Sequence, residues 1–329
     1  MSVLLERPEC AKNNVSVLML FFIRPDTLEK VFESVAKARP SKLFLFQDGA
    51  RCSEDEPKIA ACRKIVENIT WDCEIYRNYC EENLGCDNSQ YIALKWAFEK
   101  TDSLILLEDD CVPSQSFYPF CEKMLDKYRD DYRVHMICGM NHMGDYSNSI
   151  NEDYLFAKTP TIWGWATWKR AFDLWDTEFS YLDDVKMCDR IYENIKPKKW
   201  ASFQIERAEK TRDKLQKTGR ISSFELLNAM AMHLQSSYAI IPSKNMISNV
   251  GISEGSVHNV ANIKYVPKGM RRIFNMETYE LDTDNLNHPK YIVENAQYRK
   301  QLFDVMGRNN RLKQLRWKVE SKLRRIFLK

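Results

Sequence analysis

Through the first 140 residues, short apolar runs alternate with stretches in which apolar positions recur every three to four residues. The runs 15–23 (VSVLMLFFI), 42–49 (KLFLFQDG), 73–79 (CEIYRNY), 103–107 (SLILL) and 134–140 (VHMICGM) read as strands. Between them, 25–38, 56–69, 88–100 and 114–129 carry helical patterns. The first of these opens at Pro25 and stacks Leu28, Val31, Phe32 and Val35 on one stripe. Strictly alternating strands and helices predict an α/β fold, with a mostly parallel, Rossmann-like sheet flanked by helices. In such sheets ligands bind beyond the carboxyl ends of the strands. Asp48-Gly49, ending the second run, and Glu108-Asp109-Asp110, ending the fourth, should therefore share one crevice.

The pattern changes near residue 150. Aromatic residues crowd 161–176 (TIWGWATWKRAFDLWD), a polar helical stretch runs to about Arg212, and 222–259 reads as helix, strand and a Gly/Ser loop. We divide the chain into an α/β half (1–150), a second half of the same domain (151–265), an extension (266–307) and a basic tail (308–329).

Composition narrows the function classes. Of the 329 residues, 44% are hydrophobic and 29% charged, and no apolar run approaches the ~18 residues that span a bilayer. The opening MSVLLERPEC places Glu6 and Arg7 where a secretion signal needs its apolar core, so a cytoplasmic protein is expected. The ten cysteines are scattered with no C-x-x-C pair, which disfavours structural zinc and leaves most of them as buried thiols. The net charge of +3 conceals an asymmetry: residues 308–329 carry nine Lys/Arg and one Glu, so the remainder is net acidic. A basic tail on an acidic body does not fit nucleic-acid binding.

The chemistry concentrates at the fourth strand end. Three adjacent carboxylates repel one another, so something cationic belongs among them. Hard divalent ions such as Mg²⁺ or Mn²⁺ take such oxygen ligands, with phosphate oxygens completing the shell. A solvated acidic turn is the plain alternative. Asp48 could accept from a base or a ribose, or could simply close a turn. Trp163, Trp165 and Trp168, with Gly164 between the first two, read equally as core or as a platform for a sugar ring. The loop 249–259 (NVGISEGSVHN) combines small residues with His258 and could close over a phosphate.

Taken together, FQDGAR, WDCEIYRNYCEENLGC, LLEDDCVPSQSFYPFCEKMLDKY and WGWATWKRAFDLWD resemble the bacterial GT-A-type glycosyltransferases of polysaccharide gene clusters, and more distantly animal N-acetylglucosaminyltransferase I. The resemblance covers about residues 15–260. It implies that E-D-D is the family's DXD motif, with Asp110 holding Mn²⁺ or Mg²⁺ beneath a UDP diphosphate and Glu108 and Asp109 nearer the ribose and donor sugar. It makes Asp48 the reader of the base, Arg24 a nucleotide contact, and Ser256 and His258 donor contacts in GISEGSVH. Its inverting mechanism needs a carboxylate base. Relatives place it in a Trp-Asp pair before a helix, and the matching position in SSFELLN is Phe224-Glu225, one methylene longer.

In the tail, Leu312, Leu315, Val319, Leu323, Ile326 and Phe327 fall at spacings of 3, 4, 4, 3 and 1, which predicts an amphipathic helix with Lys and Arg opposite. Such a helix can lie on an anionic membrane surface, where a lipid-linked glycan acceptor would be found. The expectation is a UDP-sugar-dependent transferase, peripheral on the inner face of the cell membrane. Two rivals remain at this point, a nucleotidyltransferase and a catalytically silent scaffold recruited by the tail.

Overall fold

The computed structural model describes residues 9–252, 266–308 and 310–327. The strands are β1 (Asn13–Phe21), β2 (Pro40–Gln47), β3 (Glu74–Tyr79), β4 (Ser103–Glu108), β5 (Cys111–Pro113), β6 (Val134–Cys138), β7 (Tyr154–Ala157), β8 (Trp165–Trp168), β9 (Tyr238–Pro242) and β10 (Ile247–Asn249). The helices are α1 (Pro25–Ala38), α2 (Glu56–Val66), α3 (Cys86–Ala97), α4 (Phe117–Lys127), α5 (Lys169–Phe172), α6 (Val185–Asn194), α7 (Lys198–Thr218), α8 (Phe224–Leu234), α9 (Ala296–Val305) and α10 (Arg311–Phe327). Eight strands form one mixed, mostly parallel sheet in the order β3-β2-β1-β4-β8-β6-β9-β7, and β5 pairs with β10 in a separate antiparallel ribbon.

The apolar runs are continuous because both faces of the sheet are covered. Side chains alternate across a strand. Val17, Met19 and Phe21 of β1 therefore join Leu43, Leu45, Ile105 and Leu107 in a core under α1 and α4. Leu18 and Leu20 join Phe44, Phe46, Leu104 and Leu106 in a second core under α3 and α8. α1 lays Leu28, Val31, Phe32 and Val35 onto the first of these, the stripe expected from its spacing. The result is a three-layer, Rossmann-like α/β fold.

One strand departs from the expected order. β8, inside the aromatic stretch, inserts antiparallel between β4 and β6. Its four residues are all buried, so no polar alternation marks it as a strand in the sequence. The halves on either side of residue 150 consequently share one sheet, with β6 lying between β8 and β9. The ten cysteines are all free, but only Cys62, Cys111, Cys121 and Cys138 are buried, short of the majority expected from their scatter. No helix among the described residues is long and apolar enough to cross a membrane.

Candidate functional site

β1 and β4 run parallel in register, Leu20 beside Glu108, so both chains emerge at the same edge of the sheet. After β1, Pro25 opens α1 and holds the preceding residue out of the helical region, with Arg24 at φ −115° and ψ 73°. The Arg24 guanidinium is thereby projected over the end of β4. It pairs with Asp109, and its Nη1 donates to Asp110 Oδ2 at 2.7 Å. The cation that three carboxylates require is, in this structure, supplied by the chain itself. Burial works against the charge on Arg24, but Asp109 and Asp110 outweigh it and raise its pKa.

The carboxylates are unequal. Burial pushes Asp109 up to about 6 against the pull of Arg24, and the Phe22 N–H donates to its Oδ2 at 3.2 Å. Glu108 is raised further by burial and by the charges of Asp110 and Asp109, and its Oε1 has no hydrogen-bond partner. Asp110 Oδ1 accepts from Asn249 Nδ2 at 3.2 Å and from the Cys111 thiol at 3.4 Å. Both contacts follow from the ribbon, in which Asn249 faces Cys111. Gly251 then passes so close that a Cβ there would lie 2.1 Å from Asp110 Oδ2.

Asp48 sits at the same edge but serves the fold. Its Oδ1 accepts from the Gly49 and Leu84 amides at 2.9 and 2.7 Å. Its Oδ2 accepts from Asn83 Nδ2 and the Gly85 amide at 3.1 and 3.0 Å. A carboxylate offers about four acceptor positions, and here the chain fills them. Asp48 clamps the loop before α3 and has no position left for a nucleobase.

The second half of the chain supplies most of the walls of a cavity of about 270 Å³. Glu225, in the first turn of α8, and Trp163, in the β7–β8 connection, both line it. Trp163 packs on Phe274 with ring centroids 5.1 Å apart. Trp165 does not join it: it is fully buried in β8 and presents no face to a ligand, because strand alternation turns it into the second core. Gly164 has φ +57°, and a Cβ there would meet Ile247 at 2.4 Å, so this glycine is needed for packing between β8 and β10. Ser256 and His258 lie outside the described residues.

Residues that pattern reading did not single out complete the cavity. Arg207 of α7 pairs with Glu225 and donates to Ser223 Oγ at 2.7 Å. Arg308 lies over the Trp200 ring, 4.0 Å from its centroid. Arg207 is one cation among many on a polar helix, and Arg308 is the first residue of the basic tail, so neither stands out in the sequence. Asp87 at the start of α3 links the two regions. It accepts from the Phe224 amide at 3.4 Å, lies within electrostatic reach of both Glu108 and Arg207, and is raised by burial.

Among the described residues, no group of three or more His, Cys, Asp and Glu side chains is arranged to hold a metal ion. No family model and no curated protein matches the chain. Solved structures similar to it include the 4-diphosphocytidyl-2C-methyl-D-erythritol synthase of Anaerococcus prevotii DSM 20548, at 13% identity over 53% of this chain and 79% of that one, TM-score 0.33. Another is M. capricolum TrmK with S-adenosyl-homocysteine, at 13% identity over 61% of this chain and 93% of that one, TM-score 0.20. Neither likeness is close enough to inform the chemistry.

Proposed function

We propose that the protein is a metal-dependent, inverting GT-A-type glycosyltransferase that moves a sugar from a UDP-sugar to a hydroxyl of a growing, lipid-linked surface polysaccharide. The observation that carries this reading is the gathering of Glu108, Asp109, Asp110 and Arg24 at the carboxyl ends of β1 and β4. Asp87 lies within electrostatic reach of both Glu108 and Arg207, the partner of Glu225 in the cavity that Trp163 also lines.

The residues fit a hard divalent cation. The donors are carboxylate oxygens, and Gly251 leaves beside Asp110 Oδ2 a space that a Cβ would fill; Arg24, which donates to that oxygen, would share it with the ion. Mn²⁺ and Mg²⁺ commonly take only one or two protein carboxylates, leaving the rest of the shell to phosphate and water. Asp110 would hold the ion, which would neutralise charge on a diphosphate leaving group. Arg24, its side chain 43% exposed, keeps N–H groups free to meet a phosphate oxygen while it holds Asp109 and Asp110 in place. Glu225 takes the proton of the acceptor hydroxyl as that oxygen bonds to the anomeric carbon. The bond from that carbon to the phosphate oxygen breaks, and UDP leaves with the electron pair. Arg207 pairs with the Glu225 carboxylate at the cavity wall and holds it in place.

A nucleotidyltransferase is disfavoured because the turn after β1, FFIRPDTL, lacks the Gly-, Lys- and Arg-rich loop that would cradle a triphosphate. Titration calorimetry of UDP, with and without Mn²⁺, tests the proposal against the scaffold reading. Binding should strengthen at least tenfold with Mn²⁺, and Asp110→Ala should remove that gain. Binding that ignores both the metal and Asp110, or no binding at all, would sink the reading.

The tail supports a membrane-bound acceptor. α10 leaves Leu312, Leu315, Val319 and Leu323 exposed, while Trp317 packs against Gly269 and Gly307 on another side of the helix. Those four leucine and valine positions form one stripe flanked by Lys318 and Lys322 on one edge and Arg316 on the other. We expect the chain to cosediment with phosphatidylserine vesicles, less so at high salt, and Leu315→Asp with Val319→Asp to abolish it. Equal sedimentation with neutral vesicles, or with none, would remove the membrane role.

A further inference from the structure

The cavity beside Glu225 has an unbalanced charge. Arg207 has Glu225 as its ion-pair partner and Asp87 within electrostatic reach. Lys158 and Arg308 also line the cavity, and among the described residues neither has a carboxylate partner. Lys158 lies over Tyr238 and Arg308 over Trp200, each placed by an aromatic ring. Burial, with Arg207 nearby, lowers Arg308 to about 10. A desolvated cation left without a counter-charge is costly, and such groups are kept where an anion completes them.

A second observation points to a ligand. His142, Thr159 and Gln204 line the same cavity and are respectively 8%, 6% and 2% exposed. His142 Nδ1, Thr159 Oγ1 and Gln204 Oε1 have no hydrogen-bond partner. Buried polar atoms are nearly always satisfied, so three orphans around one space indicate a polar occupant. Trp163 supplies a flat apolar face in the same walls, and the Trp200 ring carries Arg308. At about 270 Å³ the space suits one sugar unit rather than a longer glycan.

We propose that this cavity, between the β7–β8 connection, α7, α8 and the end of α9, is an anion-specific acceptor pocket: Arg308 and Lys158 take a carboxylate or phosphate borne by a single acceptor sugar. Thr159 and Gln204 bond its hydroxyls, and Trp163 covers a ring face. The acceptor is thus an acidic glycan, carrying either a uronic acid or a sugar phosphate. The planar guanidinium of Arg308 can meet either group with two N–H donors. This inference rests on the transferase reading for the word acceptor, but not for the existence of the pocket.

The test titrates the full chain with methyl glucuronide, glucose 6-phosphate and methyl glucoside, following tryptophan fluorescence and heat, alongside UDP on the same samples. One or both anionic sugars should bind at least tenfold more tightly than the neutral glycoside, and which of them does identifies the source of the anion. Arg308→Gln should weaken that binding at least tenfold and leave UDP binding unchanged. Lys158→Gln is the second variant, should Arg308→Gln melt early. Equal affinity for charged and neutral sugars, no saturable binding, or full affinity in the variants would overturn the pocket. Anion binding without UDP binding would keep the pocket and discard the transferase, and UDP binding without anion binding would do the reverse.

Discussion

Glu225→Gln is expected to lower sugar transfer, read as UDP released from a UDP-sugar with acceptor or water, by roughly 10²–10⁴-fold, the usual contribution of a positioned general base. The amide keeps the size of the carboxylate but cannot take a proton. Binding of UDP should be unchanged, because Glu225 lines a cavity whose walls include none of Arg24, Glu108, Asp109 and Asp110. Stability should also hold, since the Arg207–Glu225 pair is partly solvated, with side chains 32% and 38% exposed, and such pairs contribute about 0–1 kcal/mol. Loss of rate without loss of folding or donor binding is therefore the signature. Glu225→Asp, which shortens the side chain by one methylene, should retain more activity than the amide. A Glu225→Gln rate within tenfold of wild type would exclude Glu225 as the base.

The second large effect is on acid stability. His135 is buried in β6, with Nε2 3.0 Å from Asn228 Oδ1, and burial lowers its pKa from 6.5 to about 4. Between those values the unfolded chain binds a proton that the folded chain refuses, so stability rises with pH across the window. The contribution is complete above pH 6.5 and is lost as the solution falls toward pH 4. At ~1.36 kcal/mol per pKa unit it amounts to roughly 3 kcal/mol for this one imidazole. His142 and His233, also lowered to about 4 by burial, act with the same sign. Glu108 and Asp109 act oppositely: their raised values favour the folded state as pH falls. His135→Gln isolates one group, since Gln can bond Asn228 without titrating. Urea unfolding between pH 7 and 4.5 should show the variant losing about 2–3 kcal/mol less than wild type. Parallel pH profiles for the two proteins would mean that His135 titrates normally.

Much of the first half was legible without coordinates. Apart from the three-residue β5, which no pattern marked, strand and helix spans from 13 to 138 fall within a few residues of their patterns, because buried parallel strands and amphipathic helices leave the strongest periodic signals. β8 was not legible, since WATW is buried throughout and carries no period. The three carboxylates called for a cation, and their strand end placed them at the carboxyl edge of the sheet. That Arg24 supplies one was hidden by an 86-residue separation that only the β1–β4 register closes.

Sequence alone determined the α/β class, the sheet edge where the three carboxylates gather and the helix of the tail, because each depends on local periodicity or on neighbours in the chain. Tertiary structure decided what each group is free to do. Asp48 became a loop clamp once Asn83, Leu84 and Gly85 folded onto it, and Trp165 became core once β8 joined the sheet. Arg308 left the tail for the cavity wall when Trp200 came beneath it. Burial and hydrogen bonding depend on contacts distant in sequence, and no local pattern records them.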